Sequence, residues 1–168
     1  MSSTLDAQHE ENVFAIPAAD AGASLIYPLQ VSALRKGGHV LLKSHPCKIS
    51  TMTTAKPGKH GHAKVNIEGY DIFTHQKFAD FGPAHQNVEV PVLRRREYQL
   101  LNVDNDDKFL SLFSYEDGET KDDLKLPEGE VGEKVERLWK GGKRDLVVTV
   151  MAAMGNEMVV EVRDNARD

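Results

Sequence analysis

The chain has 168 residues, of which 40% are hydrophobic and 28% charged, enough to bury a core in one medium domain or two small ones. A net charge of −5 and a pI near 5.8, taken as averages, argue against nucleic-acid binding. The lone Cys47 excludes an internal disulfide framework and points to a reducing compartment.

Residues 1–23 are polar, acidic and rich in small residues, and read as a flexible tail. The first twenty have no apolar stretch of the secretory kind. No run anywhere approaches the roughly 20 apolar residues of a membrane span. The expectation is a cytoplasmic protein, with nuclear access left open, and no membrane contact.

From Ser24 the pattern becomes short apolar runs between turn signals. Strands are predicted at Leu25–Gln30, His39–Leu42, Cys47–Thr53, Lys64–Tyr70, Lys77–Phe81 and Val88–Val90. Gly37-Gly38 and Ser44-His45-Pro46 read as tight turns. Pro91 and the run Arg94-Arg95-Arg96 mark a boundary, so the expected domains are 24–92 and 93–168. In the second, strands are predicted at Glu97–Val103, Phe109–Phe113, Asp122–Leu126, Leu146–Ala152 and Met158–Val162. Asn105-Asp106-Asp107 and Glu116-Asp117-Gly118 supply hairpin turns. One helix is predicted over Glu130–Lys140. Val131, Val135, Leu138 and Trp139 share a face there, Pro127 and Glu128 precede it, and Gly141-Gly142 end it. The expected class is all-β with one short helix, as two small barrels or sandwiches. Closure into barrels would remove exposed strand edges. Five strands and a helix in the second half are compatible with an OB-fold.

The averages hide an uneven charge map. Between Ala21 and Ile67 there is no Asp or Glu, whereas Arg35, Lys36, Lys43, Lys48, Lys56, Lys59 and Lys64 fall there with His39, His45, His60 and His62. From Glu97 to Glu136 acids dominate. A long basic stretch is a footprint for polyanions, and its binding weakens steeply with salt. A solvated surface with chance clustering is the plainer alternative.

The sharpest feature is Lys56-Pro57-Gly58-Lys59-His60-Gly61-His62-Ala63-Lys64, set between two predicted strands. Gly58 and Gly61 bracket Lys59 and let the tip turn sharply, while Pro57 stiffens the approach. Several cations crowded on one hairpin loop repel one another unless a polyanion offsets them. A phosphate-binding P-loop does not fit, since Thr53 stands in place of its first Gly and His60 follows the Lys. Metal binding by His60 and His62 with His39 or His45 lacks a defined third ligand. A catalytic amine at Lys59 lacks the dry pocket that would activate it. Cys47 reads as a small core residue and Trp139 as helix-face packing. Tyr98, Phe109 and Phe113 suit base stacking in an OB-fold or core positions equally well.

The loop Pro57–Lys64 resembles the modification loop of the eukaryotic translation initiation factor 5A family, which is related to bacterial elongation factor P. Ser32–Gly38, Pro46–Ile49, Tyr70–Thr74 and Asp123–Gly129 match that family too, and the resemblance spans residues 21–162. It implies an N-terminal SH3-like barrel followed by a C-terminal OB-fold. It implies conversion of Lys59 to hypusine, with deoxyhypusine synthase transferring an aminobutyl group from spermidine and deoxyhypusine hydroxylase adding a hydroxyl. The NAD and iron used belong to those enzymes, so no cofactor is expected in this non-enzymatic chain. The implied partners are the ribosome and the P-site tRNA acceptor end, approached as a monomer, with effects on elongation at stalled sites such as proline runs and on termination. Lys56, Pro57, Gly58, His60, Gly61, His62 and Lys64 would form the recognition loop, and Arg35, Lys36, Lys43 and Lys48 a supporting basic surface. A general single-stranded RNA-binding OB-fold protein is the alternative. Three features depart from the family pattern. Pro57 stands where animal and fungal members commonly have Thr, although Pro is usual in archaeal ones. The tail is long, and Ser114–Gly118 carries extra length.

Overall fold

The computed structural model describes residues 25–56, 58 and 61–166. The chain divides into two compact units, one ending at Val92 and the other starting at Leu93. The class is all-β with one α-helix, an SH3-like barrel followed by an OB-fold.

In the first unit the strands are β1 (Ile26–Gln30), β2 (His39–Leu42), β3 (His45–Ala55), β4 (Lys64–Asp71), β5 (Lys77–Pro83) and β6 (Asn87–Pro91), with a 3-10 turn at Val31–Ala33. They form a four-stranded antiparallel sheet in the order β2-β3-β4-β5 and a β1–β6 pair. Strand β4 shows why the chain folds so. Val65, Ile67, Gly69 and Asp71 point inward, while Lys64, Asn66 and Tyr70 face solvent, the two-residue period of a half-buried strand. The core joins Val65 and Ile67 to Val31, Leu34, Val40, Leu42, Cys47, Ile49 and Val90. Gly69 lies beside a register shift between Ile49 and Thr51. A Cβ there would meet the Lys48 carbonyl oxygen at 2.6 Å and the Cys47 Cβ at 3.2 Å, so only glycine fits the close strand approach.

Strand β3 is buried at its start and exposed from Thr53 to Ala55. The β4 residue facing that exposed end, Val65, stays in the core and pairs onward with Gly82 of β5, so this end of the β3–β4 hairpin is braced on one side. The turn before β3 differs from expectation. Lys43 and Ser44 make it, both at positive φ (52° and 70°), and His45-Pro46 already belong to β3. Two successive left-handed residues make a type I′ turn, whose twist matches that of the flanking strands, and this places the turn one position earlier.

The second unit holds β7 (Arg94–Val103), β8 (Phe109–Phe113), β9 (Thr120–Lys125), α1 (Glu130–Lys140), β10 (Leu146–Ala153) and β11 (Asn156–Asp164). Sheet order is β11-β10-β7-β8-β9, all antiparallel. Arg94–Arg96, expected as a boundary run, open β7 and pair with Ala152, Met151 and Val150. Helix α1 lies between β9 and β10 and packs on β11. Val135 is fully buried, with Val131, Leu138 and Trp139 against the same core. Its end is a Schellman motif, with Lys143 N–H donating to Leu138 O (3.0 Å) and Gly142 N–H to Trp139 O (3.1 Å). No helix among the described residues is long and apolar enough to cross a membrane.

Candidate functional site

The last β3–β4 pair is Ala55 with Lys64, so residues 56–63 form the loop at the end of this hairpin. Pro57, Lys59 and His60 lie outside the described residues. Lys56, Gly58, His62 and Lys64 are exposed and Gly61 half-buried. Gly58 sits at φ +70° with open space where a Cβ would point, a conformation glycine adopts at little cost.

The base of the loop is tied to two other segments. Ala84 N–H donates to Ala63 O (3.0 Å) and Ser32 N–H donates to Ala84 O (3.0 Å). Val31 N–H donates to Gln86 O (2.9 Å), and Gln86 N–H closes its own turn on Pro83 O (3.0 Å). The His62 and His85 rings meet edge to face at 6.2 Å between centroids. The turn Pro83–Gln86 thus buttresses the loop, and sequence reasoning missed it. The Gly82-Pro83 pair signals a turn, but only strand pairing places that turn beneath the loop.

The predicted basic surface runs along β3. The Arg35–Gly38 turn lies against Ile49, one residue from Lys48, with Gly37 N–H donating to Ile49 O (2.9 Å) and Ile49 N–H to Gly38 O (2.8 Å). Lys43 is the remote member. Arg35 is exposed, and its Nη1 donates to Ser32 O (2.9 Å) and Leu34 O (2.8 Å). It is fastened to the segment that continues to Ala84 and Ala63. Lys36 is exposed in the turn before β2. Lys48, exposed on β3, pairs across to His39 and Tyr70, roughly 20 Å along the strand from Ala55. Lys43 lies beyond it in the β2–β3 turn, 3.9 Å from Asp80. The acid-free stretch is therefore not acid-free in space, because pairing with β4 and β5 brings Glu68, Asp71 and Asp80 alongside. Lys43 and Lys48 do not join the loop residues in one patch.

At that far end Asp71 is buried and fully engaged. His45 Nδ1 lies 2.9 Å from Oδ2, and Oδ1 accepts from Phe73 N–H (2.7 Å) and Thr74 N–H (3.0 Å). Burial pushes its carboxyl up, but the two backbone N–H groups and His45 outweigh it and hold the pKa below the usual value. The His45 ring stacks on Phe78 at 4.1 Å. Cys47 beside it is buried, and burial, with the Asp71 charge, pushes its thiol up to about 11. That thiol is core material and a poor nucleophile. Among the described residues no group of three His, Cys, Asp or Glu is placed to hold a metal ion. His39 and His45 lie at the β2–β3 end, away from His62.

Of the aromatic residues in the second unit, Tyr98 is buried in the core. Phe109 and Phe113 take the outer face of β8, with Lys125 Nζ 5.1 Å from the Phe109 ring centroid. Alternation along β8 decided this, since Leu110 and Leu112 point inward.

Comparison with known proteins agrees with this architecture. Residues 24–86 match the family model described as translation initiation factor 5A-like, N-terminal. Residues 92–163 match the one described as eukaryotic elongation factor 5A hypusine, DNA-binding OB fold. The chain is 52% identical to eukaryotic translation initiation factor 5A-1 of Saccharomyces cerevisiae, over 94% of this chain and 97% of that protein. It is similar to a solved translation initiation factor 5A family protein from Naegleria fowleri (44% identity, TM-score 0.73, covering 83% of this chain and 99% of that one). A solved factor 5A from Methanococcus jannaschii is also similar (28% identity, TM-score 0.67, covering 83% and 96%). With both units matched in order, and a relative sharing half its residues over nearly the full length, the chain belongs to the eukaryotic translation initiation factor 5A family.

Proposed function

We infer that this chain is a ribosome-binding translation factor activated by conversion of Lys59 to hypusine. The observation that carries the reading is the sequence Pro57–Lys64 at the end of the β3–β4 hairpin, in a chain of this family. Modification lengthens the lysine side chain and adds a second amine. Such an arm suits a narrow cleft in RNA, and the β3–β4 hairpin gives it a stiff base. The modified side chain approaches the acceptor end of the P-site tRNA and promotes peptide-bond formation at stalled sites such as proline runs, and termination. It acts by orienting the substrate rather than by covalent chemistry of its own. Lys56, Lys64, His60 and Arg35 hold nearby phosphates. Deoxyhypusine synthase and deoxyhypusine hydroxylase read Lys56, Pro57, Gly58, His60, Gly61, His62 and Lys64 around their target. NAD and iron stay with those enzymes. Lys36 and Lys48 extend the basic surface from the Arg35 turn along β3, and Lys43 lies beyond them in the β2–β3 turn.

The test is the mass of the Lys59 peptide from native material. The expected peptide carries an added hydroxylated aminobutyl group; an unmodified lysine throughout overturns the reading. Lys59→Arg removes the modification completely and slows translation of proline runs. A general single-stranded RNA binder instead predicts tight binding to free RNA, unchanged by Lys59→Arg.

A further inference from the structure

The second unit carries the whole net charge of the protein. Residues 93–168 hold 13 Lys and Arg against 18 Asp and Glu, a balance of −5, while residues 1–92 hold 8 of each. On this acidic unit the β8–β9 turn presents two aromatic rings. Tyr115 is 79% exposed, and the edge of one ring meets the face of the other where it packs on Phe113, 5.0 Å between centroids and 88° between planes. Phe113 is half-buried on the outer face of β8, between Gln99 of β7 and Thr120 of β9.

A single exposed ring needs no explanation, but this one is held in place. Ser114 is fully buried and its Oγ accepts from Arg96 Nη2 (2.9 Å). The same guanidinium pairs with Asp117 and lies 5.3 Å from the Tyr98 ring centroid, and its Nε lies 3.4 Å from Glu116 Oε2. Gly118 N–H donates to Ser114 O (2.8 Å) and Ser114 N–H to Glu119 O (2.9 Å). The turn is clamped from the neighbouring strand, so the backbone that carries Tyr115 is held in place and its ring rests on Phe113. Pre-ordering an aromatic anchor removes much of the entropic cost of association. The Glu116 side chain is 80% exposed beside it, and Glu119 is exposed one turn away.

We propose that the Phe113–Tyr115 pair, rimmed by Glu116 and Glu119, is a docking site for an arginine-bearing segment of a protein partner. A guanidinium stacks on the outer face of Tyr115, where cation–π attraction acts. Glu116 and Glu119 pair with it or with its neighbours, and Phe113 receives the aliphatic stem. Nucleic acid is the poorer occupant, because Glu116, Asp117 and Glu119 beside the rings outnumber Arg96, the cation paired with two of them, and the balance repels phosphate. The site is independent of Lys59.

The test uses the full chain and a twelve-residue peptide of alternating Arg and Gly, at low salt, followed by amide chemical shifts and by titration. Shifts centred on residues 113–119 and at least threefold weaker binding on Tyr115→Ala are expected, with Tyr115→Phe retaining affinity. Glu116→Gln with Glu119→Gln weakens binding further, and Lys59→Arg leaves it unchanged. Shifts spread evenly over the acidic surface, or equal affinity for Tyr115→Ala, overturn the proposal. So does a single-stranded oligouridine that shifts the same residues more tightly than the peptide.

Discussion

Two hairpin tips of this protein are built in opposite ways. The β3–β4 loop is basic and glycine-bent, and its described residues are tied at the base, through Ala63 to Ala84 and through His62 to His85. The β8–β9 turn is acidic and aromatic and is clamped at its tip by Arg96. The first suits the reaching arm proposed for Lys59. The second suits a fixed anchor that waits for a partner. The difference shows that exposure alone does not define a functional loop; where its hydrogen bonds are placed decides whether it reaches or receives.

The largest break in this comparison comes from the arm's foundation. Gly69→Ala forces a Cβ onto the Lys48 carbonyl oxygen, so it destabilises the first unit by about 3 kcal/mol through overpacking and lost register. Chemical denaturation that resolves the two units measures it, with the second unit unchanged. Next comes Asp71→Asn, which loses charge-assisted hydrogen bonds to Phe73, Thr74 and His45 and costs about 2 kcal/mol. Because the folded pKa of Asp71 lies below its unfolded value of about 3.9, its contribution is complete above that value and is lost as pH falls through the folded pKa. Acid titration of stability should therefore be shallower in Asp71→Asn than in the native chain.

Smaller effects sharpen the contrast. Arg96→Met unclamps the second tip, and amide exchange at Gly118 and Glu119 should quicken about tenfold while exchange at Val65 and Ile67 does not change. Lys43→Ala removes only an exposed pair at 3.9 Å from Asp80 and should shift stability by less than about 0.5 kcal/mol. It should also leave Lys59 modification intact, since Lys43 lies at the opposite end of β3.

Much of the molecule was legible before any coordinates. Helix α1 follows from Val131, Val135, Leu138 and Trp139 on one stripe, and β2 and β8 from short apolar runs with clean bounds. These are local signals, written within a few residues. The Ser44–Pro46 turn was misplaced because hairpin twist, which concerns two strands together, selected Lys43-Ser44. The Arg94–Arg96 run marks a boundary in the sequence with the strand expected from Glu97, yet cross-strand partners in β10 make the run itself the start of β7.

The sequence by itself determined the Lys59 loop as the centre of interest. A bent, glycine-bracketed, cationic hairpin tip with those neighbours is a property of consecutive residues. Tertiary structure alone decided what surrounds it and what does not. It brought the Pro83–Gln86 turn under the loop, left Arg35 tied to that base, and sent Lys43 to the far end. It also joined Arg96 to Ser114 and Asp117 across β7 and β8. The physical reason is strand register: antiparallel pairing sets which distant residues become neighbours, and no window of the sequence contains both partners.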